Sequence, residues 1–159
     1  MKLILLFCSS LAILFISFAD PSYALRTMDY SKQALIETDF SGEDLSGVTF
    51  NISNLMKANL SNCNLEGASL FRAKLQDANL SNSNLRGVTL DSAILDGTNL
   101  ENAILEDAFA FDTTFRNVNI KGADFTNALM DDDSLALLCK VANGNNNVTG
   151  RDTKDSLGC

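Results

Sequence analysis

Every fifth residue from Phe40 to Phe125 is large and apolar, and this period constrains the fold more than any other feature of the sequence. Of the 18 positions in the series, only Ala110 departs from the rule. A helix turns about 100° per residue, so positions five apart would form no stripe along it. A strand alternates its faces with a period of two, so the same positions would point alternately inward and outward. The chain is therefore predicted to change direction every five residues, each pentapeptide forming a short extended side and a corner.

A second period, of 20 residues, predicts how these sides are arranged. The pentapeptide "ANLSN" occurs at residues 58–62 and again at 78–82. Four sides of five residues close a square coil, in which residues 20 apart stack on one wall at about 4.8 Å, the spacing of hydrogen-bonded strands. The expected inward leucine ladders are Leu60, Leu80 and Leu100 on this wall and Leu65, Leu85 and Leu105 on the next. A ladder of polar side chains is expected beside the first of them, formed by Asp39, Asn59, Asn79, Asn99 and Asn119.

Tandem pentapeptides of the form A(D/N)LXX resemble those of the pentapeptide-repeat family, and the resemblance covers about residues 38–127. It implies an all-β solenoid, a right-handed quadrilateral β-helix of about four and a half coils. The two ends of a solenoid need covering, since they otherwise expose core and strand edges. Short helical caps are therefore expected at both ends.

The first 24 residues have the layout of a secretory signal peptide. Lys2 precedes an apolar run over residues 3–19, and Ser22 and Ala24 are small residues placed as such a peptide has them before its cleavage site. Cleavage is predicted between Ala24 and Leu25. The alternative is a retained membrane anchor, for which the run is near the lower length limit. Export implies an oxidising compartment, where disulfides persist.

Caps are predicted over residues 25–37 and 128–159. Residues 28–37 are expected to form a short helix with Asp29 as its N-cap. A second helix is expected over "SLALLCKVA", with Asp131–Asp133 at its N-terminus and Gly144 as its terminator. A cation site is the alternative interpretation of the three aspartates.

Three cysteines remain after the predicted cleavage. Cys139 on the capping helix and Cys159 at the last residue are the expected disulfide pair, which would pin the polar tail over the end of the coil; two reduced thiols are the alternative. Cys63 occupies a small inward position, so a buried free thiol is expected there. The segment "LCKVANG…VTGRDTKDSLGC" resembles the C-terminal segment of thylakoid-lumen pentapeptide-repeat proteins of cyanobacteria and chloroplasts. That resemblance implies export, paired tail cysteines and the thylakoid lumen, with the periplasm as the alternative compartment.

No catalytic constellation can be nominated from the sequence. Histidine is absent, as are a CxxC motif and a glycine-rich phosphate loop, so no cofactor and no metal site are expected. The chain has 12 basic and 20 acidic residues and a net charge of −8. Binding to a phosphate backbone needs clustered Lys and Arg, so nucleic acid is not expected as a partner.

Several large apolar residues occupy positions of the repeat that are expected to face solvent. They are Ile52, Met56, Phe71, Ile94, Ile104, Phe109 and Phe111. Phe71, Phe109 and Phe111 fall on one wall, which suggests a patch that binds a partner. The alternative is a bulge, in which Phe109 or Phe111 turns inward and replaces the core leucine missing at Ala110.

Two functions from different classes are compatible with the sequence. The first is a non-enzymatic structural or protein-interaction module of the thylakoid lumen, with an unknown lumenal or periplasmic protein as partner, no membrane contact after signal cleavage, and a monomeric state favoured. The alternative follows from the family resemblance, because some pentapeptide-repeat proteins are acidic rods that mimic DNA and bind DNA gyrase. The predicted signal peptide argues against the alternative, since gyrase is cytoplasmic.

Overall fold

The computed structural model describes residues 28–159, and over most of this range the chain winds as a square coil. Parallel bridges join residues 20 apart, as in the series Asn59, Asn79 and Asn99. The amide of Leu60 donates to the carbonyl of Asn79 at 2.7 Å, and equivalent bonds recur on the sides from Tyr30 to Leu105. Residues 28–127 hold 20 pentapeptides, which at four to a coil make five coils. The predicted stacking of residues 20 apart is confirmed.

The sides of the coil are too short to form long strands. The named strands are β1 (Phe109–Ala110) and β2 (Leu129–Met130), which pair in parallel with Phe109 opposite Leu129. Every other side of the coils contributes an isolated parallel bridge. The pentapeptide itself is the cause, because about three extended residues are followed at once by a corner.

Each corner is a four-residue turn whose third residue has a positive φ. The amide of Val48 closes one such turn by donating to the carbonyl of Leu45 at 3.2 Å. The residue two places after the central one has a positive φ in all 20 pentapeptides of residues 28–127, and 14 of these are Gly, Asn or Asp. Those residue types enter the left-handed region most readily. Ile52, at φ 60°, is the one β-branched residue among the 20.

The coil has four walls, each defined by the central residues of its stacked pentapeptides. The first wall is centred on Tyr30, Phe50, Leu70, Leu90 and Ala110, the second on Leu35, Leu55, Leu75, Leu95 and Phe115, the third on Phe40, Leu60, Leu80, Leu100 and Ile120, and the fourth on Leu45, Leu65, Leu85, Leu105 and Phe125. The six leucines of the expected core ladders are at most 1% exposed. Cys63 is a buried free cysteine whose thiol contacts the carbonyl of Phe40 at 2.9 Å, and burial raises the pKa of that thiol.

The helix expected over residues 28–37 is wrong, because these residues form two further sides of the coil. Asp29 bridges to Thr49, and its carboxylate accepts from the amide of Ser31 at 2.8 Å as part of a turn. Tyr30 stacks on Phe50 with ring centroids 5.1 Å apart. Met28 and Gln33 stand where the other coils have small residues, so the sequence did not indicate that these two sides belong to the coil. Within residues 28–159 this first coil has another coil on one side only, which relaxes the size limit at those two positions.

The C-terminal end is capped by a helix, as predicted. Helix α1 (Asp132–Val141) follows Asp131, and helix α2 (Thr153–Leu157) closes the chain. Asp131 caps α1 by position, but its side chain makes no capping bond and instead accepts from the amide of Asp112 at 2.7 Å. The helix ends at Val141, so Gly144 lies beyond it and is not its terminator.

The disulfide between Cys139 and Cys159 is present, as predicted, with a Cα–Cα distance of 5.8 Å. It ties the last residue of the chain to helix α1. The predicted signal peptide over residues 1–24, with its cleavage site between Ala24 and Leu25, lies outside the described residues. No helix within residues 28–159 has the length and apolar character needed to cross a membrane.

Candidate interaction surface

Exposed apolar side chains are concentrated on the first wall. Within the coils of residues 28–130, seven large apolar residues are exposed, and only Ile36 lies on another wall. A monomeric protein rarely leaves apolar side chains clustered in water without a use for them. The six on the first wall are Met28, Ile52, Phe71, Phe109, Phe111 and Leu129.

The three phenylalanines all face outward. Phe71 is 37% exposed, Phe109 43% and Phe111 44%, whereas Ala110 between the last two is 2% exposed. The bulge interpretation is therefore wrong, and the small side chain of Ala110 keeps the inward position. Pairing of β1 with β2 holds this register, and the alternation of a strand then turns both neighbours of Ala110 outward.

Three other residues of the expected outward set are covered to different degrees. Met56 and Ile94 are half-buried on the second wall. Ile104, on the fourth wall, is only 5% exposed, so its expected exposure is wrong. The C-terminal tail lies across that wall, where Asn146 donates to the carbonyl of Ala103 at 3.4 Å. Sequence periodicity could not show this, because the tail is not part of the repeat.

The first wall also differs from the others in its charges. On the second wall Lys57 pairs with Glu37 at 3.8 Å, on the third Lys121 pairs with Glu101 at 3.4 Å, and on the fourth Arg86 pairs with Glu106 at 3.1 Å. The first wall carries Asp29, Lys32, Arg72, Asp91 and Asp112, none of which is in an ion pair within the part of the chain that the structure describes. Arg72 and Asp112 are both exposed, so their charges are available to groups outside the molecule.

The apolar part of the first wall continues into a groove of about 450 Å³ at the C-terminal end. Phe111 and Leu129 belong to both surfaces, and Asp155 is the one charged residue in the lining. The groove lies between the last turn of the coil and the two helices of the cap. Its lining consists of Phe111, Phe125, Thr126, Asn127, Ala128, Leu129, Met130, Leu135, Asp155, Ser156, Leu157 and Gly158.

An ionic cluster fixes the tail that forms one side of this groove. Arg151 contacts Glu106 and Asp124, each at 3.2 Å. Burial alone would raise the pKa of Asp124, but hydrogen bonds from Thr126 and Thr149 and the charge of Arg151 outweigh it, so the pKa of Asp124 is lowered. Asp124 is fully buried, and this cluster supplies the partner that a buried carboxylate requires.

Glu106 belongs to the same cluster and is bonded from two directions. A hydrogen bond from Arg86, and then one from Arg151, lower the pKa of Glu106. The contacts of Arg151 with Glu106 and Asp124 raise the pKa of Arg151. The three side chains thus join the fourth wall of the coil to the tail.

Asn146 is the second attachment of the tail. It is 2% exposed, and its side-chain amide donates to the carbonyl of Gly122 at 2.9 Å, while its side-chain oxygen accepts from the amides of Val148 and Thr149. Ser156 adds a third contact, since its hydroxyl accepts from the amide of Phe125 at 3.0 Å. The disulfide is therefore one of several bonds that hold the tail on the last coil.

No group of three or more Cys, Asp or Glu side chains within residues 28–159 is arranged to hold a metal ion. Asp131, Asp132 and Asp133 lie at the start of α1, where their charges favour the helix N-terminus. The described surface carries an apolar wall, exposed charges outside ion pairs and the groove beside the cap.

A family model described as pentapeptide repeats matches the chain in eight copies, over residues 34–70, 53–91, 68–107 and 93–132. The 1.7 Å crystal structure of a pentapeptide repeat protein from the Arabidopsis thaliana thylakoid lumen is 44% identical, with a TM-score of 0.81, and the match covers 82% of this chain and 90% of that one. A pentapeptide repeat protein, Rfr23, of the cyanobacterium Cyanothece 51142 is 32% identical, with a TM-score of 0.57, over 58% of this chain and 64% of that one.

Two curated proteins of Arabidopsis thaliana are similar over shorter stretches. The thylakoid lumenal 15 kDa protein 1 is 51% identical over 47 residues, which are 30% of this chain and 21% of that protein. The thylakoid lumenal protein TL20.3 is 52% identical over 40 residues, 25% of this chain and 14% of that protein. The matched stretch thus spans at most about a fifth of these curated relatives.

Proposed function

This chain belongs to the pentapeptide-repeat family, and from that premise we propose that it is a non-enzymatic protein-interaction module of the thylakoid lumen. The compartment is supported by the similarity, over most of both chains, to a pentapeptide repeat protein of the Arabidopsis thylakoid lumen. The predicted signal peptide over residues 1–24 supports it independently. The rod presents a rigid surface to its partner.

The observation that carries the proposal is the composition of the first wall. Six exposed apolar side chains lie there, and its charges are unpaired within the described residues. Burying such side chains against another protein removes apolar surface from water, which favours association. Phe71, Phe109 and Phe111 supply the aromatic anchors that dominate many protein interfaces.

Affinity capture from isolated thylakoids tests the interaction. The bait is the processed protein, and the variant replaces Phe71 and Phe111 by Ser. Because both side chains are exposed, the double variant is expected to melt within a few degrees of the wild type and to lose the captured partner. Ile36→Ser is the matched control, since it removes an exposed apolar side chain from the second wall. Retention of the same partner by the double variant, or a collapse of its melting temperature, contradicts the proposal.

The compartment has a separate test. N-terminal sequencing of the protein recovered from a lumenal fraction is expected to begin at Leu25. A reporter fused to the first 30 residues is expected to leave the cytoplasm. Cytoplasmic retention of the reporter contradicts the lumenal assignment and returns the gyrase alternative to consideration.

A further inference from the structure

Arg72 and Asp112 occupy the same place on the first wall, two coils apart. Each is the corner residue of its pentapeptide, with φ of 55° and 54°, and both are exposed. Phe71 and Phe111 directly precede them and are also exposed. One level of the wall thus carries Phe71 beside the basic Arg72. The level about 10 Å further along the rod carries Phe111 beside the acidic Asp112.

We propose that two copies of this chain pair face to face and antiparallel through the first wall. The twofold axis lies between the two facing walls, perpendicular to the rods and at the level of Leu90. It places the Leu70 level of one copy opposite the Ala110 level of the other. Each Phe71 then meets Phe111 of the other copy, and each Arg72 meets Asp112 of the other copy. The contact is isologous, so both pairs form twice. The proposal goes beyond the proposed function, because it names a second copy where that function needs a different lumenal protein.

Asp91 lies at the level of the proposed axis and faces its own counterpart. Two carboxylates placed there repel each other, which weakens the dimer. The repulsion is reduced because the Asp91 carboxylate accepts from the amide of Phe111 at 2.9 Å, which draws it toward the next coil. A substitution that removes the charge of Asp91 is therefore expected to strengthen the pairing.

The small size of the wall limits the strength of the dimer. Five coils give a rod about 24 Å long, and one side of a coil is about 10 Å wide, so the flat area of the wall is about 240 Å² on each copy and about 480 Å² on both. This area is well below about 1,200 Å², the lower end for stable complexes, so the pairing is expected to be weak. The dimer is expected to dissociate in the micromolar range or above, which leaves the wall accessible to another protein.

Sedimentation equilibrium of the processed protein, purified from the periplasm of an expressing bacterium, measures the pairing. Reversing one charge, in Arg72→Glu or Asp112→Arg, is expected to weaken the dimer by about tenfold or more, since each change creates two like-charge contacts. The double variant R72E/D112R restores both ion pairs with their signs exchanged and is expected to return to within about threefold of the wild type. Arg116→Glu, on the second wall, is the control and should leave the dimer unchanged.

Cross-linking gives a second measurement that does not depend on affinity. Cys63 is buried and the other two cysteines are bonded, so a cysteine introduced in Asp91→Cys, at a half-buried position of the wall, is the one thiol at the surface within residues 28–159. Oxidation is expected to give a covalent dimer, whereas Glu101→Cys on the third wall should not. Two outcomes would overturn the proposal. In the first, the protein is a monomer at every concentration up to about 1 mM and Asp91→Cys gives no cross-link. In the second, a dimer forms but the double variant R72E/D112R does not restore it. Neither outcome affects the capture experiment, which tests the proposed function separately.

Discussion

The asparagines of the third wall show why one pentapeptide recurs at an interval of 20. Asn79 donates from its side-chain amide to the oxygen of Asn59 at 3.4 Å, and its own oxygen accepts from Asn99 at 3.2 Å. An amide is needed in mid-column because each member must donate to one neighbour and accept from the other. Asp39, at the N-terminal end, only accepts, from Asn59 at 3.0 Å. A carboxylate, which has no hydrogen to donate, therefore fits only at the N-terminal end of the column.

Ile52 is the least compatible residue at any corner of the coils. It is β-branched and 48% exposed, and its φ is 60°. The left-handed conformation costs a residue with a Cβ about 1–2 kcal/mol, and asparagine visits it far more readily. Strain of this kind concentrates at functional sites, and Ile52 lies on the first wall.

Replacing Ile52 by Asn is expected to raise the free energy of unfolding by about 1 kcal/mol, because asparagine relieves the corner without disturbing the core. The melting temperature should rise by roughly 4 °C. Ile36→Asn is the matched control, since Ile36 is similarly exposed and has no positive φ. The measurement is thermal unfolding followed by circular dichroism. An equal rise of the melting temperature in both variants would mean that removing an exposed apolar side chain, and not relief of backbone strain, is the cause.

At the level of elements, the tail acts as a clamp on the last coil. Its contacts reach the coil at the side chains of Asn146, Arg151 and Ser156, and the disulfide joins its end to α1. These contacts form one side of the groove beside the first wall. The tail therefore connects the stability of the cap to the shape of the candidate interaction surface.

The elements that the sequence predicted are those with a local pattern. The five-residue period predicted the coil and the outward or inward direction of most side chains, and residues 132–141 carried helix signals at their start. The first two sides of the first coil were missed because Met28 and Gln33 break the rule of small residues. The bonds of Asp124 with Arg151 and of Asn146 with Gly122 join residues 27 and 24 apart, at no recurring interval, so no local pattern could indicate them.

Acid is expected to weaken the clamp through Asp124 and Glu106. Both have a pKa lowered in the folded chain, so their contribution to stability is fully present above their unfolded pKa values near 4 and is lost as the pH falls through the lower folded values. Arg151→Met removes the shared partner. Its urea midpoint should lie below that of the wild type at pH 7, and the difference should shrink as the pH falls below about 4 and through the lower folded pKa values of the two carboxylates.

Arg116→Met is the control for this effect. Its ion pair with Asp96, at 3.6 Å, joins side chains that are 69% and 33% exposed, so its loss should change the midpoint little at any pH. A difference between Arg151→Met and the wild type that is as large at pH 2.5 as at pH 7 would show that Arg151 stabilises the tail by packing and not by charge.

On the scale of the whole molecule, the central residues are less buried in the first coil than in the last. In the first coil Tyr30, Leu35 and Phe40 are only half-buried, although they occupy central positions. In the last coil Ile120 and Phe125 are at most 2% exposed, beneath α1 and the tail. In a solenoid each coil is stabilised chiefly by its neighbours, so an end with less covering opens first.

Native-state hydrogen exchange is therefore expected to reveal a polarity along the rod. Amides of residues 28–47 should exchange fastest among the coils, those of residues 48–107 slowest, and those of the last coil nearly as slowly because the clamp holds it. In Cys159→Ser the loop closed by the disulfide over 20 residues is opened, which removes about 3 kcal/mol in the loop-entropy model. Exchange should then accelerate in the last coil while the first coil is unchanged, because coils at opposite ends share no contact. Equal rates in all coils, before and after the substitution, would show instead that the rod opens as one cooperative unit.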